Sequence, residues 1–155
     1  MTPSRRSLLL GAAALALAPL AALVPGSPAM AEITYASDGI AIQGTDPVAY
    51  FTEGAPVAGS PEHEVEWNGA TWRFASAENA DAFRADPVAY APAYGGYCAW
   101  AAAQGDLAPT DPDNWTIHEG RLFLNYDDRI QRRWERDIPG FVTRADANWP
   151  ELSAR

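Results

Sequence analysis

The stretch of sequence that decides the fold is HEVEWNGATWRF, residues 63–74. Its centre, Asn68-Gly69, is the preferred dipeptide of a two-residue type I′ hairpin. That turn fixes which residues of the two flanking strands face each other. The predicted pairs on the apolar face are Trp67–Ala70, Val65–Trp72 and His63–Phe74, and those on the charged face are Glu66–Thr71 and Glu64–Arg73. This alternation predicts a hairpin with one buried face.

Two further strand segments are predicted. Val48 to Phe51 is an apolar run after a Gly-Thr-Asp-Pro turn, which is typical of a short strand. A second hairpin is expected over Trp115 to Asn125, with its turn at Glu119-Gly120. One face of this hairpin is apolar and consists of Trp115, Ile117, Leu122 and Leu124.

The remaining segments predict short helices. Ser76 is a suitable N-cap for a helix through about Ala85, and the side chains expected to point inward are Ala77, Ala80 and Phe83. Asp86-Pro87 begins another helical turn, and Tyr97 to Gln104 is Ala-rich and helical in character.

The C-terminal part predicts two more helices. Asp127 or Asp128 caps the first, in which Ile130, Trp134 and Ile138 recur at helical spacing. Pro139-Gly140 is expected to break it, before a last helix over residues 141–149. The sequence therefore predicts an α+β fold: a small single domain in which two β-hairpins form an antiparallel sheet packed against several short helices.

The first 31 residues have the pattern of a signal peptide. Arg5-Arg6 precedes an almost unbroken apolar run, and Ala29-Met30-Ala31 is an A-x-A cleavage site. The arginine pair is typical of a twin-arginine signal, which exports folded proteins, although ordinary secretory signals also carry such pairs. We therefore expect an exported, periplasmic protein with residues 32–155 as its single mature domain.

Charge narrows the range of partners. Net charge is −9 for the whole chain and falls to −11 when Arg5 and Arg6 are removed with the signal. An acidic chain of this kind is unsuited to nucleic acid or an anionic membrane, because both require basic surface. We expect no nucleic-acid partner and no membrane insertion after signal cleavage. The sequence leaves the oligomeric state open.

Several motifs together resemble the YHS domain. They are Asp46-Pro47-Val48, the hairpin that ends in Phe74-Ala75-Ser76, and Phe83-Arg84-Ala85-Asp86-Pro87-Val88-Ala89-Tyr90. Other segments, Tyr94 to Cys98 and Leu124 to Trp134, resemble an exported YHS subfamily, some of whose members are selenoproteins. The resemblance implies heavy-metal association through cysteines after D-P-V and before the Ser. Here those positions are Ala49 and Ala75, so the usual metal site is not expected.

Cys98 is the only cysteine of the chain, so it forms no internal disulfide. By the resemblance it matches the selenocysteine of some relatives, which implies a reactive position. Its predicted place at a helix start favours the thiolate. The alternatives are a metal ligand, a redox group, buried packing or an intermolecular disulfide. The expected pocket around this thiol consists of Tyr94, Gly95, Gly96, Tyr97 and Trp100.

A metal at this thiol would need further ligands. His63 is the better-placed histidine, since it falls on the apolar face of the first hairpin, whereas His118 falls on an outer face. The predicted metal ligands are therefore Cys98 and His63, for a soft transition metal such as copper or zinc, with Asp or Glu completing the set.

Three functions remain open at this stage. The first is a periplasmic accessory protein that binds a metal ion or a small thiol-reactive ligand at Cys98. The second is a monothiol redox enzyme, with Cys98 as the catalytic nucleophile that reduces peroxide or disulfide. The third is a structural or interaction module with an inert thiol.

Overall fold

The computed structural model describes residues 32–155, and the predicted signal peptide lies outside them. Within that range the chain forms six β-strands: β1 Ala36–Ser37, β2 Ile40–Ala41, β3 Ser60–Trp67, β4 Ala70–Phe74, β5 Asp111–His118 and β6 Arg121–Asn125. It also forms six α-helices: α1 Ala49–Thr52, α2 Ala77–Ala85, α3 Pro87–Tyr90, α4 Ala99–Ala103, α5 Asp128–Trp134 and α6 Ile138–Leu152. Two 3₁₀ turns lie at Ile42–Gly44 and Ala93–Gly96.

The strands form two separate sheets. The larger has the order β1-β2-β4-β3, and the smaller consists of β5 and β6. β2 pairs with β4 in parallel, and the other pairings are antiparallel. The predicted α+β fold is therefore confirmed, but the single antiparallel sheet made of both hairpins is wrong. The N-terminal segment takes the edge of β4 that the second hairpin would have needed.

The first hairpin has the predicted register near its turn. Four of the five predicted pairs are present, from Trp67–Ala70 out to Glu64–Arg73. The fifth, His63–Phe74, is wrong, because the register shifts between Ser60 and Glu64 and Phe74 pairs with Ser60. Pro61 lies in this bulge, and proline has no N–H to donate to a regular ladder.

The second hairpin agrees with its prediction. Trp115 pairs with Leu124 and Ile117 pairs with Leu122, and all four side chains pack in one hydrophobic cluster. Phe123, on the opposite face of β6, is also completely buried, in a second cluster. β6 therefore lies between two cores and joins the halves of the domain.

Asp46 explains why the segment predicted as a strand at Val48 to Phe51 is instead the helical turn α1. This carboxylate is completely buried. Its Oδ1 accepts hydrogen bonds from the backbone N–H groups of Val48 (2.8 Å) and Ala49 (3.2 Å), as an N-terminal cap does. Oδ2 accepts from the Ala75 N–H and the Asn79 amide, each at 2.8 Å. One buried carboxylate thus caps α1 and anchors the start of α2.

The helix predictions hold with two corrections. Ser76 caps α2 as predicted and Asp127 caps α5, but Ala77, expected inside, is exposed. The predicted break at Pro139-Gly140 is also wrong. α5 ends at Trp134, and Pro139 lies in the first turn of α6, where Asp137 is the cap and a missing N–H costs little.

Two hydrophobic cores follow from this arrangement. The first lies at the four-stranded sheet and is centred on Trp72, Phe74 and Phe83. The second lies between α4 and α6 and contains Phe123 and Trp134. None of the helices among residues 32–155 has the length and apolar character needed to cross a bilayer.

Candidate functional site

Cys98 is the N-cap residue of α4 and is almost completely buried, with 1% of its surface exposed. Burial raises the pKa of its thiol, although backbone N–H groups at the start of α4 and at Tyr126 act in the opposite direction. The backbone N–H groups at the helix start therefore favour the thiolate, as the sequence predicts, but they do not decide the net direction of the shift in pKa. In this chain, desolvation outweighs the helix terminus.

The Cys98 thiol belongs to a buried polar network. It donates to Asn125 Oδ1, with a sulfur–oxygen distance of 3.6 Å, and the same oxygen accepts from the Trp100 N–H at 3.1 Å. The Asn125 amide donates to Gln131 Oε1 at 2.8 Å, and the Gln131 amide donates to Thr116 Oγ1 at 2.9 Å. The network therefore connects α4, β6, α5 and β5 through a thiol that acts as donor.

The five predicted pocket residues have different neighbours, and Trp100 packs against the small hydrophobic cluster that contains Cys98. Gly95 lies against the N-terminal segment, since a Cβ at this position would overlap the Ile33 carbonyl oxygen, and a Cβ on Gly96 would lie 2.8 Å from the Ile42 side chain. Tyr97 packs against Tyr35, with ring centroids 5.6 Å apart.

Tyr94 and Trp100 line two different surface grooves. Gly95 and Tyr97 are partly exposed but line neither of these grooves. We call the groove that Tyr94 lines the tyrosine groove, and the groove that Trp100 lines the arginine groove. The tyrosine groove is lined by Tyr94, Arg121 and Asp146 with apolar neighbours, and the arginine groove by Trp100, Phe141 and three arginines.

The predicted metal ligands are in different elements. His63 lies in the bulge of β3, whereas Cys98 begins α4. Residues 32–155 contain no group of three or more His, Cys, Asp or Glu side chains that could hold a metal ion. A metal role for Cys98 and His63 stays a prediction from the sequence.

The two alanines that replace the usual YHS cysteines are neighbours in space. The N–H groups of Ala49 and Ala75 donate to opposite oxygens of the Asp46 carboxylate. The fold thus brings these two positions together, although alanine offers no ligand atom.

The tyrosine groove has a volume of about 910 Å³. It lies between the turn of the first hairpin, the α3 segment, the turn of the second hairpin and α6. Apolar side chains form most of its walls: Trp67, Val88, Pro92, Trp149 and Pro150. Val88 is 79% exposed, which is unusual for a large aliphatic side chain in the described part of the chain.

A polar cluster forms one part of this groove. Tyr94 donates its hydroxyl hydrogen to Asp146 Oδ1 at 2.8 Å. Arg121 donates to both oxygens of the same carboxylate, at 3.0 and 2.9 Å. Arg121 also lies over the Tyr94 ring, with 5.7 Å between its guanidinium carbon and the ring centroid. The three side chains hold one another in place.

The cluster's electrostatics follow from this geometry. The hydrogen bonds from Arg121 lower the pKa of the Asp146 carboxyl, and burial together with Asp146 raises the pKa of Tyr94. The cluster is therefore an ionised Arg–Asp pair beside a neutral phenol, with no net charge. Only two of the five guanidinium N–H groups are bonded to Asp146, so Arg121 retains donors, and the Tyr94 oxygen retains acceptor capacity.

Sequence reasoning missed the partners of Tyr94. Arg121 and Asp146 are 25 positions apart, and each is an ordinary surface residue by pattern. No spacing rule connects a hairpin turn to the middle of a later helix, so only the folded chain brings the three together.

Fold and groove define this molecule as a small α+β domain with an open, mostly apolar groove between its two halves. The family model for the YHS domain matches residues 48–94, so the chain contains a YHS domain. This segment contains the centre of the first core, Trp72, Phe74 and Phe83, and it supplies Trp67 and the groove-lining residues from 88 to 94. No match to a curated protein or to a solved structure was found.

Proposed function

We propose that this YHS-domain protein is an accessory binding protein that holds a small, uncharged, largely apolar molecule in the tyrosine groove. The observation that carries the proposal is the combination of exposed apolar walls with one ordered polar cluster. Small-molecule sites in proteins have this composition, with a few polar groups that orient a ligand against apolar surface.

The ligand class follows from the cluster's charge. Asp146 already accepts three hydrogen bonds, so it has little capacity left for a metal cation or an amine. The Arg121 charge is neutralised by Asp146, which disfavours a strongly anionic ligand. The remaining Arg121 donors and the Tyr94 oxygen suit a carbonyl or hydroxyl group. An apolar molecule that ends in such a group fits both parts of the groove.

Cys98 has a structural role in this proposal. A thiol that is 1% exposed and donates to Asn125 is poorly suited to capture a metal or attack a peroxide. We further propose, from the sequence pattern alone, that residues 1–31 direct export and that the binding protein acts in the periplasm.

The test uses the neutral, carbonyl-containing dye Nile red as a probe. We expect its fluorescence to report saturable binding to the mature protein. Val88→Asp places a charge on the apolar wall and should weaken binding about tenfold or more, since desolvating a carboxylate is costly. Val88 is exposed, so the fold should persist.

The matched control is Tyr126→Asp. Tyr126 is the other exposed large hydrophobic among residues 32–155, at 52%, and it does not line the groove. Its substitution should leave binding unchanged. Equal losses in the two variants, or no saturable binding to the wild type, would refute the proposal.

A further inference from the structure

The arginines among residues 32–155 fall into two groups, those that form ion pairs and those that do not. Four form ion pairs: Arg73, Arg84, Arg121 and Arg155. Five form no ion pair or side-chain hydrogen bond with residues 32–155, and all five fall between positions 129 and 144: Arg129, Arg132, Arg133, Arg136 and Arg144. Unpaired cations are thus concentrated in α5, α6 and the short link between them, in a chain whose net charge is −9.

Three of these arginines line the arginine groove. Arg133, Arg136 and Arg144 surround a space of about 530 Å³ with the aromatic side chains of Trp100 and Phe141. The Arg133 guanidinium carbon lies 5.7 Å from the Trp100 ring centroid, and that of Arg144 lies 4.6 Å from the Phe141 ring centroid. The rings therefore restrain two of the three cations, which lowers the entropy lost on binding a ligand.

The groove lacks a free counter-charge. Asp137 is the only carboxylate that lines it, and one Asp137 oxygen accepts from the Gly140 N–H at 3.1 Å as the cap of α6. Three guanidinium groups against one carboxylate leave a local excess of positive charge. An anion would relieve their mutual repulsion, and guanidinium groups bind carboxylates and phosphates with two parallel hydrogen bonds.

We infer that the arginine groove is a second binding site, for a small organic polyanion that carries carboxylate or phosphate groups. Its volume is typical of a small-molecule site. A long polyanion is disfavoured, because beyond these arginines it would meet the surface of an acidic protein. The inference is independent of the tyrosine groove, which involves other residues.

The experiment titrates citrate into ¹⁵N-labelled mature protein at low, constant ionic strength, with chloride as the balancing anion. We expect saturable shifts of the Trp100 indole N–H signal. Arg133→Gln and Arg144→Gln should each weaken citrate binding about tenfold. Arg129→Gln and Arg132→Gln are matched controls, because they remove the same charge from α5 but do not line the groove, and should change binding less than twofold.

Three results would overturn the inference. The first is the absence of saturable citrate binding. The second is an equal loss in Arg132→Gln and Arg133→Gln, which would show a diffuse charge effect. The third is binding of a glutamate 20-mer much tighter than citrate and equally sensitive to all five arginines, which would identify an acidic macromolecule as the occupant. All five arginines are exposed, whereas Trp100 and Phe141 are partly buried and are not substituted. The arginine variants should therefore remain folded.

Discussion

At the scale of the residue, Cys98 shows how burial overrides local position. The start of a helix favours a thiolate, and the N–H groups of Trp100 and Ala101 are placed to do so. The same sulfur is enclosed by Ala101 and Ile130 in a small hydrophobic cluster, and desolvation raises the pKa of the thiol. The Asn125 oxygen receives the thiol hydrogen, which stabilises the protonated form.

The first prediction concerns the reactivity of this thiol. Because Cys98 is buried, iodoacetamide should modify it only through transient opening of the domain. We expect alkylation of the native protein to be slower than that of the urea-unfolded protein by a factor on the order of a thousand or more. The measurement is mass spectrometry of samples quenched over time at pH 8. Comparable rates in the two states would show that the thiol is accessible.

The second prediction is the pH dependence of stability. The folded thiol has a raised pKa, so its contribution to stability is complete below the pKa of the unfolded thiol and is lost as pH rises through the folded value. The urea midpoint of the wild type should therefore fall more steeply from pH 7 to 10 than that of Cys98→Ala. Buried tyrosines titrate in both proteins and cancel in the comparison. Parallel curves would contradict the shift.

From the sequence, the element or motif to which a residue belongs could be predicted better than the contacts that its side chain makes. Asp46 was noted only as part of the Asp-Pro-Val motif, and its role was missed because its four hydrogen bonds reach position 79 and require the fold. His63 was assigned to a regular strand because alternation continued through it, and the bulge at Pro61 was not anticipated. Ala77 was expected inside because spacing alone does not show where a helix meets the core.

At the scale of the element, the hairpin turns and helix caps are local and could be predicted from sequence. Asn68 and Gly69 both have positive φ, as a type I′ turn requires. The pairing of sheet edges is not local, and for that reason the parallel contact between β2 and β4 was missed. Gly95 and Gly96 were expected to line a pocket around the thiol, whereas Gly95 lies against the protein's own N-terminal segment.

The third prediction tests this close approach. Gly95→Ala requires an L-residue at φ +61° and places a Cβ against the Ile33 carbonyl oxygen, so it should destabilise the domain by about 3 kcal/mol or more. The matched control is Gly69→Ala, at φ +78° with no atom within 4 Å of the Cβ, which should cost about 1–2 kcal/mol. Urea unfolding measures both. Equal losses would show that backbone strain alone matters at Gly95.

At the scale of the whole molecule, two halves meet along β6. The YHS segment supplies the centre of the first core and much of the tyrosine groove, and the later helices supply most of the second core and the arginine groove. Composition predicted one small α+β domain, but neither groove was foreseen as such, since each combines residues that are distant in sequence. The acidic net charge also gave no indication that unpaired arginines are grouped in one part of the fold.

The fourth prediction concerns export of the whole chain. If the arginine pair directs twin-arginine export, Arg5→Lys with Arg6→Lys should retain the precursor in the cytoplasm. The wild type should yield a periplasmic protein whose mass corresponds to a start at Glu32. Mass spectrometry of cell fractions measures both. Unchanged export of the double variant would instead indicate the general secretory route.

The most direct measurement of the central claim, that the tyrosine groove binds an uncharged, largely apolar molecule, is the location of bound Nile red by intermolecular NOEs. We expect cross-peaks from the dye to the Val88 methyl groups and to the Trp149 and Tyr94 rings. Cross-peaks to side chains outside the groove, such as Tyr126, or none at saturating dye, would contradict the claim.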